Sequence, residues 1–447
     1  MSTHAIRGDV VTFRGDPFLQ DPQQCLVYER DALVVLADGK IADIGPADQL
    51  GPRLPAGTEV AHYKDAIISA GFIDTHIHYP QTQMVAAFGE HLLEWLNKYT
   101  FVVEQQFAGE EHSRHIARVF LRELLRCGTT TAAIYCTVHP QSVDALFEES
   151  TRFNTRMVAG KVMMNRNAPE ALLDTTERGY RESSELIQRW HGKGRQVYCI
   201  TPRFAPTSTE DQLAACGALY RENPGTYVQT HLCENKDEIA WVLSLFPERK
   251  SYLDVYAHAG IVGPRSIYGH GIHLTEDDFA TCHQTGAALA HCPTSNFFLG
   301  SGLFRLFDAK KAARPVRVGL GTDIGAGTSF SQLQTLNEAY KVAEMNDTKI
   351  TSIQAFYLAT RGSAEALYFD DRIGTVAPGY EADLVVLDPR STPLLAMRSE
   401  YCSDIAEQLF VLMMLGDDRA VRATYVAGEM VYDRDAQGDK FRYPGQA

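Results

Sequence analysis

The chemistry-bearing residues of this chain gather at the ends of apolar, β-rich runs. The first run closes on Asp74-Thr75-His76-Ile77-His78. Side chains alternate along a strand, so His76 and His78 face the same way. Two imidazoles on one face make either a divalent-metal pair or two unrelated surface histidines. Three later runs end in Thr230-His231-Leu232-Cys233-Glu234, Tyr268-Gly269-His270-Gly271-Ile272-His273 and Gly321-Thr322-Asp323. Imidazole nitrogens with one carboxylate oxygen suit Zn²⁺ or Fe²⁺ far better than Ca²⁺ or Mg²⁺. The expected ligands are therefore His76, His78, His231, His270 and Asp323. His273, three residues beyond His270, faces the other way on an extended strand and fits a supporting or helix-facing place. His139, before Pro140, is expected to be peripheral. Glu234 lies three residues after His231 at a strand-to-helix turn. It is placed either as a general acid/base or as a carboxylate favoured by a helix N-terminus.

These residues can act together only if a fold brings the run ends to one place. Eight strand-like runs lie between about 66 and 323: AIISAGFIDTHIH, GTTTAAIYCTV, RMVAGKVMM, QVYCITPRF, YVQTHLC, SIYGHGI, AALAHCPTS and VRVGLGTD. Helical stretches such as ARVFLRELLRC and KDEIAWVLSLF separate most of them. Eight β units with helices between them predict a (β/α)8 TIM-type barrel, in which the C-terminal strand ends form the active-site face. An open doubly wound sheet lacks support, since no GxGxxG opens a helix after a strand. The chain ends differ. DALVVLADGKIADIGPAD (31–48) reads as a hairpin, and GTVAPGYEADLVVLDP and VRATYVAGEMVY are short β-rich runs around glycine turns. The expected division is a composite small β-sandwich domain from 1–67 and 373–447, and a barrel from 68–372.

Composition narrows the partners. A formal net charge of −14 repels phosphate backbones and anionic lipid, so neither nucleic acid nor membrane is expected as a partner. No stretch reaches the ~18 apolar residues of a membrane span, and the N-terminus lacks the apolar core of a signal peptide. Nine scattered cysteines without CxxC fit reduced thiols and a cytoplasmic setting.

The motifs GFIDTHIH, THLCE, YGHG and GTD, in this order at strand ends, resemble the amidohydrolase superfamily. The longer stretches GFIDTHIHYPQTQM, LLEWLNKYTF, AGKVMMNRNAP, TPRFAPTS, THLCENKDEIAWV, HCPTSNFFLGSGLF and GLGTDIGAGTSFSQLQTLNEAYK are similar to its guanine-deaminating family. That resemblance covers the whole chain. It implies one Zn²⁺ per subunit, with Fe²⁺ possible, and His270 either ligating the metal or bonding the activated water. Catalytic roles then fall to Glu234, Asp323 and His270. Guanine would be bound by His78, Gln81, Arg203, Phe204, His231, Glu234 and Asp323, and the assembly would be a homodimer. Binuclear members carry a bridging lysine on the fourth strand. VYCITPRFAP has none and Lys161 belongs to the third strand, so one metal is expected. LLEWLNKYTF could cover the site, pack as a helix on the barrel top or meet a partner subunit. The alternatives are a related deaminase or hydrolase of another aminopurine, aminopyrimidine or triazine, or a non-enzymatic interaction protein on the same fold. The HxE…PCxxC signature of cytidine-type zinc deaminases is absent.

Overall fold

The structure is a computed structural model, and it describes residues 3–89 and 91–445. Eight parallel strands form the barrel: β5 (Phe72–His78), β6 (Thr129–Tyr135), β7 (Arg156–Gly160), β8 (Val197–Pro202), β9 (Tyr227–Leu232), β10 (Ser266–His270), β11 (Ala288–His291) and β12 (Arg317–Leu320). They pair in chain order from β5 to β12. The ring closes through the segment after β12, where the Asp323 N–H donates to the His76 carbonyl (2.9 Å) and the His78 N–H to that of Ile324 (2.9 Å). A helix follows each strand: 110–126, 140–153, 176–190, 210–222, 236–245, 276–285, 293–298 and 332–345. This is the (β/α)8 architecture expected from the eight runs.

Apolar side chains pack the strand and helix layers together away from solvent. Ile73, Ala133, Val158, Cys199, Tyr227, Ile267 and Ala288 come from seven consecutive barrel strands and make one buried cluster. A larger core lies between strands and helices and includes Leu289 and Leu320 of the strands with Leu121, Leu124 and Leu336 of the helices. Gly160 shows how tight the barrel wall is. A Cβ there would lie 1.7 Å from the Cys199 carbonyl oxygen, so only glycine fits.

The chain ends build a second sheet, in the order β15-β14-β13-β4-β1-β2-β3. Its strands are β1 (His4–Phe13), β2 (Leu26–Ala37), β3 (Lys40–Pro46), β4 (Glu59–Ala70), β13 (Leu384–Leu387), β14 (Val421–Val426) and β15 (Glu429–Asp433). Ile6, Val34, Ile41, Ile68, Leu384 and Tyr425 meet in one core of this single seven-stranded sheet. The β2–β3 hairpin turns at Asp38 and Gly39, both with positive φ, as its DG sequence predicts. One run divides where the sequence reading joined it. AIISAGFIDTHIH is two strands, β4 and β5, broken at Gly71. A Cβ at Gly71 would stand 2.4 Å from the Thr130 hydroxyl, so the chain changes sheets where only glycine clears the neighbouring strand.

Candidate active site

At the C-terminal face of the barrel, β5 delivers His76 and His78, β9 delivers His231, β10 delivers His270, and the segment after β12 delivers Asp323. All are buried or nearly so. Nε2 of both His76 and His78 lies 3.3 Å from Asp323 Oδ1, and Nε2 of His78 lies 3.2 Å from that of His231. His270 Nε2 stands 3.8 Å from Asp323 Oδ2. The sets His76, His78, His231 and His76, His270, Asp323 each bring one ligand atom per residue within 4.8 Å of one another.

The chain at these strand ends is bent sharply. Cys233, His270 and Asp323 all have positive φ (49°, 69° and 53°), a conformation that non-glycine residues hold only under tertiary constraint. Outer contacts orient the rings. His231 Nδ1 meets the Arg203 carbonyl at 2.6 Å and His270 Nδ1 meets Asn296 Oδ1 at 2.9 Å. With Nδ1 donating to an oxygen acceptor, each ring turns its Nε2 lone pair to the centre. Asp74 accepts from the His76 N–H (3.1 Å), the Thr322 N–H (3.2 Å) and the Thr322 hydroxyl, tying β5 to the segment that carries Asp323. The Tyr135 ring stacks on His78 at 4.4 Å.

Electrostatics keep the donor atoms free. Burial pushes His76 down, and holds His78 down at about 3 and His231 well below the usual range. His76, His78 and His231 are therefore neutral with available lone pairs. Burial pushes Asp323 up, but the facing His76, His78 and His270 outweigh it and hold it well below the usual carboxylate range. Nε2 of His76 and of His270 are buried without a hydrogen-bond partner. Orphaned nitrogens around a carboxylate are costly unless a cation takes them, so this donor set fits a divalent metal.

Glu234 lies beside the cluster, its Oε2 3.4 Å from His270 Nε2 and its Oε1 accepting from Ser301 Oγ at 3.1 Å. Burial, then the charge of Asp323, pushes its carboxyl up to about 8. Glu238 and two tyrosines hold the turn that aims it. Glu238 accepts the Glu234 and Asn235 N–H groups (3.0 and 3.1 Å) and the Tyr252 hydroxyl (2.8 Å). Tyr256 donates to the His231 carbonyl at 2.8 Å.

A pocket opens onto this centre. His78, Gln81, Arg203, Phe204, His231, Glu234, His270 and Asp323 line it together with the apolar Leu92, Trp95 and Leu96. LLEWLNKYTF is thus helical and forms part of the pocket wall. His273 stands behind the site, its Nε2 3.0 Å from the Ser301 carbonyl. His139 caps the helix 140–153 and does not line the pocket. Lys161 is paired with buried Asp174 (2.5 Å) and with Glu182 (3.3 Å), so its role is structural. The sequence reading missed Glu104, Tyr135, Asp74 and Asn296. No spacing signal marks the first two. Asp74 sits inside DTHIH, and Asn296 inside HCPTSN, where a polar residue just past a strand end was the available sign.

Comparison with known proteins follows the same lines. The sequence profile of the Amidohydrolase family matches residues 67–431. The chain is 50% identical to a guanine deaminase of Escherichia coli, over 96% of this chain and 98% of that protein. The solved E. coli guanine deaminase superposes with a TM-score of 0.94 at 49% identity, covering 97% of this chain and all of that one. A guanine deaminase from C. acetobutylicum, solved with guanine bound in its active site, gives a TM-score of 0.86 at 27% identity, with coverage of 96% and 100%.

Proposed function

Because this chain belongs to the amidohydrolase family, we propose that its hydrolase activity is the deamination of guanine to xanthine and ammonia. One observation carries the reading. The histidine–aspartate cluster, the elevated acid Glu234 and the donor-bearing Gln81 and Arg203 all line the same pocket. A zinc ion held by His76, His78, His231, His270 and Asp323 would supply water acidified to a pKa of ~7 as a nucleophile at neutral pH. The rest is work for the protein's own side chains.

Arg203 has only donors to offer, which match the 6-oxygen of guanine and leave the 6-amine of adenine unpaired. Gln81 meets a second ring edge and so fixes which carbon turns to the cluster. Phe204 stacks against the purine, and the Leu92–Leu96 wall excludes water. Asp323, held anionic, takes a proton from the attacking water. As C2 becomes tetrahedral, charge builds at ring N3. Glu234 is neutral at pH 7 with a pKa of about 8, so it holds a proton for N3. A second transfer to the exocyclic amine lets ammonia leave.

A cytoplasmic setting belongs to this reading, supported by nine unpaired cysteines. No helix among the described residues is long and apolar enough to cross a membrane. A homodimer is part of the reading on family resemblance alone, and sedimentation analysis tests it. The deciding assay is ammonia release from a panel of aminopurines, aminopyrimidines and aminotriazines. Guanine should be turned over and adenine left untouched. Turnover of another ring in preference to guanine would refute the substrate assignment.

A further inference from the structure

Arg203 does not stand alone in the pocket wall. Its Nη1 donates to both oxygens of Glu104, at 2.9 and 2.7 Å. Glu104 is fully buried and absent from the pocket lining, and its Oε1 also accepts from Gln81 Nε2 at 3.3 Å. The side-chain oxygen of Gln81, Oε1, in turn accepts the Gly325 N–H at 3.3 Å. One turn back from Glu104, the Phe101 ring lies 5.5 Å under the Arg203 guanidinium. Phe101 and Glu104 bound a single helical turn of the segment whose Leu92, Trp95 and Leu96 also line the pocket.

We propose that Glu104 is the positioning residue for substrate selection: one buried carboxylate clamps the two side chains that read the purine and cancels the charge of Arg203. The proposal rests on the guanine reading and deepens it. Two consequences follow from the geometry. First, the clamp decides which donors stay free. One Gln81 amide hydrogen and the Gln81 oxygen are committed to protein partners, so Gln81 presents its remaining hydrogen to the ligand and its orientation cannot flip. Second, Arg203 with Glu104 is a neutral pair. The pocket then offers a hydrogen-bond donor without a net positive charge, which favours a neutral base carrying a carbonyl over a purine anion. A guanidinium buried without its carboxylate would invert that preference.

Glu104→Gln tests this, because it keeps the size and one acceptor oxygen but removes the charge. The variant is compared with wild type for guanine turnover, metal content, thermal midpoint and inhibition by urate, an anionic purine. KM for guanine should rise by about tenfold or more with a smaller fall in kcat, while urate inhibition tightens by about tenfold, the scale of one 1.4 kcal/mol step. Metal content should stay at the wild-type value. A merely structural glutamate would lower the thermal midpoint without moving urate inhibition. An unchanged KM and unchanged urate inhibition, or activity lost in parallel with metal, overturns the proposal. If Glu104→Gln does not fold, the double variant Arg203→Met/Glu104→Gln removes both charges. It should fold and match Arg203→Met alone in KM, because the Glu104→Gln amide keeps an acceptor for Gln81 and the charge it removes acts only through the arginine. A further KM loss in the double variant overturns the proposal. Wild-type protein that releases no ammonia from guanine refutes the function itself. Wild-type turnover with an indifferent Glu104→Gln refutes only the clamp.

Discussion

Gly269 gives the sharpest test of the proposed metal centre, because it carries no ligand atom itself. It lies on β10 beside His270 and in register with His231 of β9. A Cβ at this position would stand 2.4 Å from His76 Cε1 and 2.7 Å from Nδ1. Ordinary carbon contacts are ~3.5 Å, so Gly269→Ala asks the His76 ring to move about 1 Å. The ring has little freedom to do so. His76 is 1% exposed, its N–H is held by Asp74, its carbonyl by Asp323, and Tyr135 and His231 both lie 4.8 Å from its ring centre. Overpacking of this kind costs about 1–3 kcal/mol. Metal sites keep ligand distances within about 0.2 Å, so a 1 Å shift takes His76 out of bonding range. We expect metal affinity to fall by ~10²-fold, or about 2.7 kcal/mol, on loss of one ligand. Competition against a graded chelator series, read as metal per chain, measures it, with ammonia release alongside. Gly45→Ala is the control, since nothing lies within 4 Å of its Cβ. A Gly269→Ala protein with wild-type metal affinity and turnover would refute the geometry of the site.

Three further outcomes follow from the same arrangement. Glu234→Gln keeps its contacts but cannot pass protons, so turnover should fall by ~10²-fold or more with metal content unchanged. Wild-type turnover would return Glu234 to the role of a helix-start carboxylate. Arg203→Ala should lower kcat/KM for guanine by about 2–4 kcal/mol. Because it also strands buried Glu104, its thermal midpoint should drop as well, which calorimetry will show. Chelation should abolish activity and Zn²⁺ restore it at one equivalent per chain, given the orphaned Nε2 atoms of His76 and His270. Two tightly bound metals per chain, by elemental analysis, would contradict the single cluster.

What the sequence determined by itself was the class of fold and the residue types that meet in the candidate metal cluster. Both are local signals. Eight β-rich runs with helices between them specify a barrel by count, and a barrel's C-terminal strand ends converge whatever the loops do. His76, His78, His231, His270 and Asp323 were legible because each stands at the end of such a run. Glycine turns such as Asp38-Gly39 were legible because the required φ is a property of one residue. The tertiary structure decided what depends on chain segments far apart meeting in space. Glu104 pairs with Arg203 across 99 positions, and Thr322 bonds Asp74 across 248. No periodicity encodes such a pair, since each partner alone reads as an ordinary charged or polar residue. The positive φ of Cys233, His270 and Asp323 is likewise invisible in sequence, because the surrounding barrel imposes it against local preference. The break between β4 and β5 at Gly71 depends on Thr130 of the neighbouring strand. Strand composition could not show it, since apolar residues flank Gly71 on both sides. The protonation states are also tertiary. Glu234 and Asp323 are ordinary carboxylates in sequence, and burial drives one up to about 8 while facing imidazoles hold the other down.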